Sequence, residues 1–220
     1  MVKGTKKEIH INDKVIRYTH IEKGSKTICF MFSGSGYNYD KPLFYYSTML
    51  MLENNIDVVH IHYSYDEQVM KKPMEEITKI MMDDINPVII EVLKNGQYNN
   101  LMFLGKSLGT IPIANDLMKR EEYLQSKMIL LTPLLTFDTI FDSILHSDHE
   151  GFLVMGDKDH QYNASQMERL EQSNLKIEIV KNANHSLNVG EFETENSIVA
   201  IAKVIGSLEE TIKVGMNNNY

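Results

Sequence analysis

The 220-residue sequence has no tryptophan, one cysteine and five prolines, and its basic side chains are outnumbered by acidic ones, giving a formal charge of −8. Each shortage excludes something. A lone cysteine, Cys29, forms no internal disulfide, and its place in the apolar run from Ile28 to Phe32 marks a buried strand thiol rather than a nucleophile. The deficit of basic residues argues against a phosphate-tracking nucleic-acid surface and suits an anionic membrane face poorly. No apolar run approaches the roughly 20 residues that span a bilayer, so stable membrane insertion is not expected. The charged opening from Met1 to Glu8 lacks the apolar segment of a secretory signal, which makes a cytoplasmic protein the expectation. Internal repeats, low-complexity tracts and Pro/Gly-rich linkers are also missing, so residues 1–220 read as one domain with a sizeable core. Fourteen methionines suit an adaptable core.

What is present is an alternation of strand-like and helix-like segments. Lys14 to Ile21 and Lys26 to Phe32 read as strands around the turn signal Glu22-Lys23-Gly24-Ser25, and an antiparallel pair is the expected arrangement. Pro42 to Glu53 has helical spacing, and Ile56 to Ile61 reads as a strand. Pro73 to Leu93 is long enough for two helices, or for one kinked at Pro87. Leu101 to Leu104 is the next strand. Beyond it come a helix near Leu108 to Glu122, a strand at Met128 to Leu131 and a short helix near Phe137 to Leu145. Gly151 to Met155 is a strand, Ala164 to Gln172 a helix, Leu175 to Val180 a strand and Phe192 to Val214 a final helix, with Asn217 to Tyr220 expected to fray. The spacing predicts an α/β protein: a mostly parallel central sheet with helices on both faces and an antiparallel N-terminal strand pair.

Between the strand Leu101 to Leu104 and the following helix lies Gly105-Lys106-Ser107-Leu108-Gly109. A serine on so sharp a strand-to-helix turn adopts a strained backbone, and glycines two residues to either side remove side chains that would collide with it. A serine hydroxyl needs a base within hydrogen-bond reach, and that base needs an acceptor. On an alternating α/β sheet such groups collect behind the carboxyl ends of strands. Two late loops qualify: Gly156-Asp157-Lys158-Asp159-His160, and Lys181-Asn182-Ala183-Asn184-His185-Ser186.

With Ser107, an Asp and His185 in that order, each behind a separate predicted strand, the chain resembles the α/β-hydrolase superfamily of serine hydrolases over about residues 14–214. The resemblance implies Asp159, the later of the two carboxylates in the turn, as the acid, with Asp157 as the alternate. For the oxyanion, the Leu108 amide at the start of the helix after the nucleophile is one donor. The resemblance implies the Ser35 amide, in Ser33-Gly34-Ser35-Gly36-Tyr37, as the second, with Gly36 adjacent to it. Many members carry a histidine before that first glycine, and this chain carries Ser33 instead.

Other patterns carry less. Gly105-Lys106-Ser107 matches the end of a phosphate-binding loop, but Asn100 stands where its first glycine belongs and an apolar strand fills the rest. His60 and His62 share one strand face, and Asp157, Asp159 and His160 cluster in sequence, yet no third ligand accompanies the histidine pair. No metal and no cofactor is therefore expected. The expected function is a serine hydrolase acting on a small-molecule carboxylic ester or thioester through an acyl-enzyme. An acyltransferase or peptidase with the same triad, and a non-catalytic ligand-binding protein on this fold, are the alternatives. Only about twenty residues separate the strands at Met128 and Gly151, which leaves no room there for a substantial lid and predicts an open site. Tyr37, Tyr39, Tyr45 and Tyr46 are candidate walls of an acyl pocket, although aromatics on a first helix more often join the core. The oligomeric state is left open.

Overall fold

The computed structural model describes residues 4–11, 14–96 and 98–214. Eight strands form one sheet: β1 (Thr5–Ile11), β2 (Lys14–Ile21), β3 (Thr27–Phe32), β4 (Asp57–His62), β5 (Asn100–Lys106), β6 (Lys127–Leu131), β7 (Gly151–Gly156) and β8 (Leu175–Val180). Their spatial order is β1-β2-β4-β3-β5-β6-β7-β8. The pairs β1·β2 and β2·β4 are antiparallel, and every pair from β4 onward is parallel.

The α/β architecture follows the expectation, with a different membership for the antiparallel pair. β2 does not lie beside β3. It pairs with β1 on one side and β4 on the other, because β4 inserts between β2 and β3. The buried Asp57 at the start of β4 helps hold that insertion: its carboxylate accepts the Lys23 and Ser25 amides of the β2–β3 turn at 2.7 and 3.3 Å. The sequence Thr5 to Ile11 gave little strand signal because β1 is an edge strand with mostly exposed side chains.

Side chains alternate across each strand and feed two cores. Ile28, Phe30 and Phe32 of β3 face the side covered by α3 (Met74–Asn95), α4 (Thr110–Asn115), α5 (Asp138–Leu145) and α6 (Ala164–Leu170). Cys29 and Met31 face the side covered by α1 (Pro42–Glu53) and α7 (Thr194–Val214). A single short turn of helix, α2, spans Glu67–Met70.

α3 runs as one element through Pro87. An internal proline costs about 3 kcal/mol through its missing donor and ring clash. Ile77, Met81, Ile85, Val88, Ile89 and Val92 are all buried on its core face, on both sides of the proline. At about 1.5–3 kcal/mol per buried apolar side chain, that stripe outweighs the break. The reverse happens after β5, where the expected helix over Leu108 to Glu122 is fragmented into α4 and three 3-10 turns at Ser107–Gly109, Leu117–Lys119 and Glu121–Tyr123. Its first turns hold Thr110, Ile111, Pro112 and Ile113, poor helix formers, and the chain leaves helical geometry at Asp116 (φ −132°, ψ −65°). The final helix begins at Thr194, two residues later than expected, and Asn217 to Tyr220 lie outside the described residues.

Strand order reverses direction at β3: the chain moves outward to β4, then crosses back to β5 on the opposite side. The crevice beyond the carboxyl ends of β3 and β5 is the switch point at which such sheets place ligands. Ser33 leaves β3 and Ser107 leaves β5 at that crevice.

Candidate active site

Ser107 follows the last residue of β5 and has φ +52°, a left-handed conformation that costs a non-glycine residue about 1–3 kcal/mol. Its flanks make the turn possible. A Cβ at Gly105 would lie 2.3 Å from the Gly109 carbonyl oxygen, and one at Gly109 would lie 2.0 Å from the Phe32 carbonyl oxygen. Neither backbone can retreat, so only glycine lets helix, turn and β3 close together. The side chain of Ser107 remains partly exposed.

Two further loops meet it. The backbone of Asp157 and Lys158 continues the β7·β8 pairing past the strand ends, through the Val180 and Ala183 carbonyls. This carries the two loops forward side by side. His185 Nε2 lies 2.8 Å from Ser107 Oγ, and His185 Nδ1 lies 2.7 Å from Asp159 Oδ2. The Asp159 side chain is fully buried, while that of His185 keeps 25% of its surface exposed. Asp159 Oδ1 accepts the Gln161 amide at 3.0 Å, so both carboxylate oxygens are engaged. Gln161 is itself held by Thr136, whose amide and hydroxyl both donate to Oε1. Asp157 turns elsewhere: its carboxylate accepts the Asn182 amide at 2.6 Å and anchors the loop that carries His185.

Ser33 to Tyr37 lies beside the turn. A Cβ at Gly34 would sit 3.2 Å from the Lys106 carbonyl oxygen and 3.4 Å from Ser107 Cβ. Ser35 and Gly36 are exposed, and the Gly34 carbonyl accepts the Tyr37 amide at 3.2 Å, closing a tight turn around them. Leu108 occupies the first turn of its helix, where backbone N–H groups lack intrahelical acceptors. The early loop is pinned by two tyrosines, Tyr63, which the sequence did not single out, and Tyr39, one of the candidate pocket walls. The Tyr63 hydroxyl donates to the Ser33 carbonyl at 2.8 Å, and the Ser33 amide donates to the Tyr39 hydroxyl at 3.2 Å. Burial raises both phenols above their ordinary range, so both stay neutral. Tyr39 therefore belongs to the core, as its burial shows, whereas Tyr45 and Tyr46 point to solvent. No local pattern in the sequence distinguishes these tyrosines, because their partners lie 6 to 30 residues away.

Lys106 also departs from a surface role. It is buried, and its ammonium reaches Thr132 Oγ1 and the His185 carbonyl. Pointing into the protein, it cannot cradle phosphate, in agreement with the rejection of a phosphate-binding loop. The strand histidines have ordinary partners: His60 lies 2.9 Å from Thr48 Oγ1 and stacks on Tyr39, and His62 lies 2.9 Å from Thr19 Oγ1. Asp159, His160 and His185 bring potential ligand atoms within 4.8 Å of one another. Of these groups, His185 and Asp159 already bond to each other at 2.7 Å, and Asp159 Oδ1 accepts the Gln161 amide.

A parallel sheet flanked by helices, with a serine on a strained turn after its middle strand, defines the α/β-hydrolase fold, and the chain has that fold. No family model matches the sequence, and no curated protein matches it. Solved structures do. Est1E from Butyrivibrio proteoclasticus superposes with a TM-score of 0.69 at 12% identity, covering 96% of this chain and 100% of its own. The esterase Pf2001 of Pyrococcus furiosus gives 0.69 at 12%, over 96% of this chain and 92% of its own. Dienelactone hydrolase from Anabaena variabilis gives 0.69 at 15%, over 94% and 96%. Among the described residues, no helix is long and apolar enough to cross a membrane.

Proposed function

We propose that the protein is a serine hydrolase that cleaves a carboxylic ester or thioester through an acyl-enzyme. The observation that carries this reading is the continuous chain from Ser107 Oγ to His185 Nε2 and from His185 Nδ1 to Asp159 Oδ2, at 2.8 and 2.7 Å, ending on a fully buried carboxylate. That the similar structures include an esterase and a dienelactone hydrolase supports it.

In this reading His185 accepts the Ser107 proton as Oγ attacks the substrate carbonyl, and Asp159 holds the Nδ1–H tautomer and stabilises the imidazolium. The amides of Leu108 and Ser35 stabilise the oxyanion, with Gly36 as the adjacent donor in the same turn. The tetrahedral intermediate collapses as His185 protonates the leaving alcohol or thiol. Water, deprotonated by His185, then attacks the acyl carbonyl and releases the acid and free Ser107. No cofactor or metal takes part. In this reading the chain is one domain without a substantial lid, and the short connection from β6, ending at Leu131, to α5, beginning at Asp138, supports it.

A fluorophosphonate probe tests the proposal. The native protein is expected to be labelled and Ser107→Ala to remain unlabelled. Equal labelling of the two would remove Ser107 from the mechanism. Hydrolysis of short-chain p-nitrophenyl esters should fall by at least about 10⁴-fold in the same variant.

A further inference from the structure

We propose that Lys106 is a positioning residue for the base, its buried ammonium holding the loop of His185, through that residue's own carbonyl, against the strand end that presents Ser107. The proposal rests on the hydrolase reading above for its catalytic meaning, though not for its geometry.

Lys106 is 1% exposed, although lysine is among the residues least often buried. An ammonium has three donors and no acceptor. Nζ lies 3.0 Å from the His185 carbonyl oxygen and 3.2 Å from Thr132 Oγ1, and 4.5 Å from the centre of the Tyr37 ring. These partners come from three different loops, behind β8, β6 and β3. One cation thus touches the loop of the base, the strand end beside it and the loop that carries the early oxyanion donor. It does so from the residue that immediately precedes Ser107.

Space-filling is an insufficient reason for such a group. Burying an ammonium costs several kcal/mol, and an apolar side chain of similar length would fill the same volume without that cost. Its partners carry strain of their own. Thr132, a β-branched residue, sits at φ +45°, and the His185 loop passes through left-handed residues at Asn182 (φ +58°) and Leu187 (φ +61°). Strained conformations persist where the surroundings over-determine them. The Lys106 ammonium is a shared partner of Thr132 and His185 and supplies that constraint.

The charge of the group is adjustable. Burial lowers the Lys106 ammonium to about 8, and the Asp159 carboxylate pulls in the opposite direction. The titratable groups facing it are Asp159 from the loop after β7 and Tyr37 from the loop after β3, while His185, from the loop after β8, meets it through its backbone carbonyl. Thr132 faces it from just after β6 and carries no charge. Below about pH 8 the bond to the His185 carbonyl is charge-assisted; above it the neutral amine donates more weakly.

The test compares the native protein with Lys106→Met and Thr132→Val, two near-isosteric changes that remove the donor and one of its acceptors. The deciding readout is the nuclear magnetic resonance signal of the His185 Nδ1 proton bonded to Asp159, which requires no turnover. It should broaden or shift in a folded Lys106→Met; an unaltered signal overturns the proposal. With an active native enzyme, kcat should fall by about 10²-fold with KM changed by less than about twofold, and the alkaline limb near pH 8 should disappear. If Lys106→Met does not fold, Thr132→Val decides: a weakened His185 signal supports the proposal, and a native one overturns it. Absence of ester turnover in the native protein would sink the hydrolase reading alone, leaving the His185 signal to judge Lys106.

Discussion

Gly109 and Phe32 meet backbone to backbone: a Cβ on Gly109 would lie 2.0 Å from the Phe32 carbonyl oxygen and 2.6 Å from its carbon. This approach brings the helix after Ser107 against the end of β3 and so sets the width of the crevice between the early loop and the Ser107 turn. Gly109→Ala must push β3 and the turn apart. The expected cost is about 1–3 kcal/mol, read as a lower denaturant midpoint, together with loss of fluorophosphonate labelling. A variant with native midpoint and native labelling would show that the turn tolerates a wider crevice.

The two aspartates of one turn have different partners, His185 for Asp159 and the Asn182 amide for Asp157. Asp159→Asn should leave the fold intact and lower ester kcat by about 10⁴-fold, because the amide favours the wrong tautomer of His185. Asp157→Ala removes the acceptor of the Asn182 amide, so stability should fall by about 1–2 kcal/mol while kcat changes less than about tenfold. Steady-state kinetics on both variants checks this, and the reverse ranking would move the acid role to Asp157.

Tyr63 restrains the early loop through one hydrogen bond to the Ser33 carbonyl. Tyr63→Phe keeps the ring and deletes the hydroxyl, leaving that carbonyl without this donor. A destabilisation of about 1–3 kcal/mol is expected. If the Ser35 amide serves the oxyanion, kcat should drop more than KM rises; a change confined to thermal stability would argue that the loop is held adequately by Tyr39.

His60 contributes a pH dependence of stability. Burial lowers its folded-state value to about 3 from an ordinary 6.5, the nearby His62 adding in the same direction. Above about pH 6.5 His60 is neutral in both states and its contribution is fully present. As pH falls from there towards 3, the unfolded chain takes up a proton that the folded chain refuses, so stability is lost at up to about 1.4 kcal/mol per pH unit. Urea unfolding at pH 7 and pH 5 should therefore show a smaller loss for His60→Gln than for the native protein. Equal losses would place His60 in contact with solvent.

The local pattern alone determined a good deal. Apolar strands of four to six residues, helices with a buried stripe and the Gly-x-Ser-x-Gly turn are all short-range features, legible because side-chain period and backbone sterics act within a few residues. The same locality singled out Ser107 and the two late loops, and the family resemblance then implied Asp159 and His185; the structure places His185 within hydrogen-bond distance of both Ser107 and Asp159. It misled where pairing was non-local. β2 and β3 are consecutive and joined by a turn, yet β4 separates them, because Asp57 and the doubly buried face of β4 favour the interior position. α3 survives its proline because its buried stripe packs against the sheet, whereas the helix after Ser107, built on poor helix formers, leaves helical geometry at Asp116. Only the tertiary structure could assign Lys106, Tyr39 and Tyr63. Their partners are distant in sequence, and a buried ammonium or phenol becomes intelligible only once the carbonyls it serves are in place.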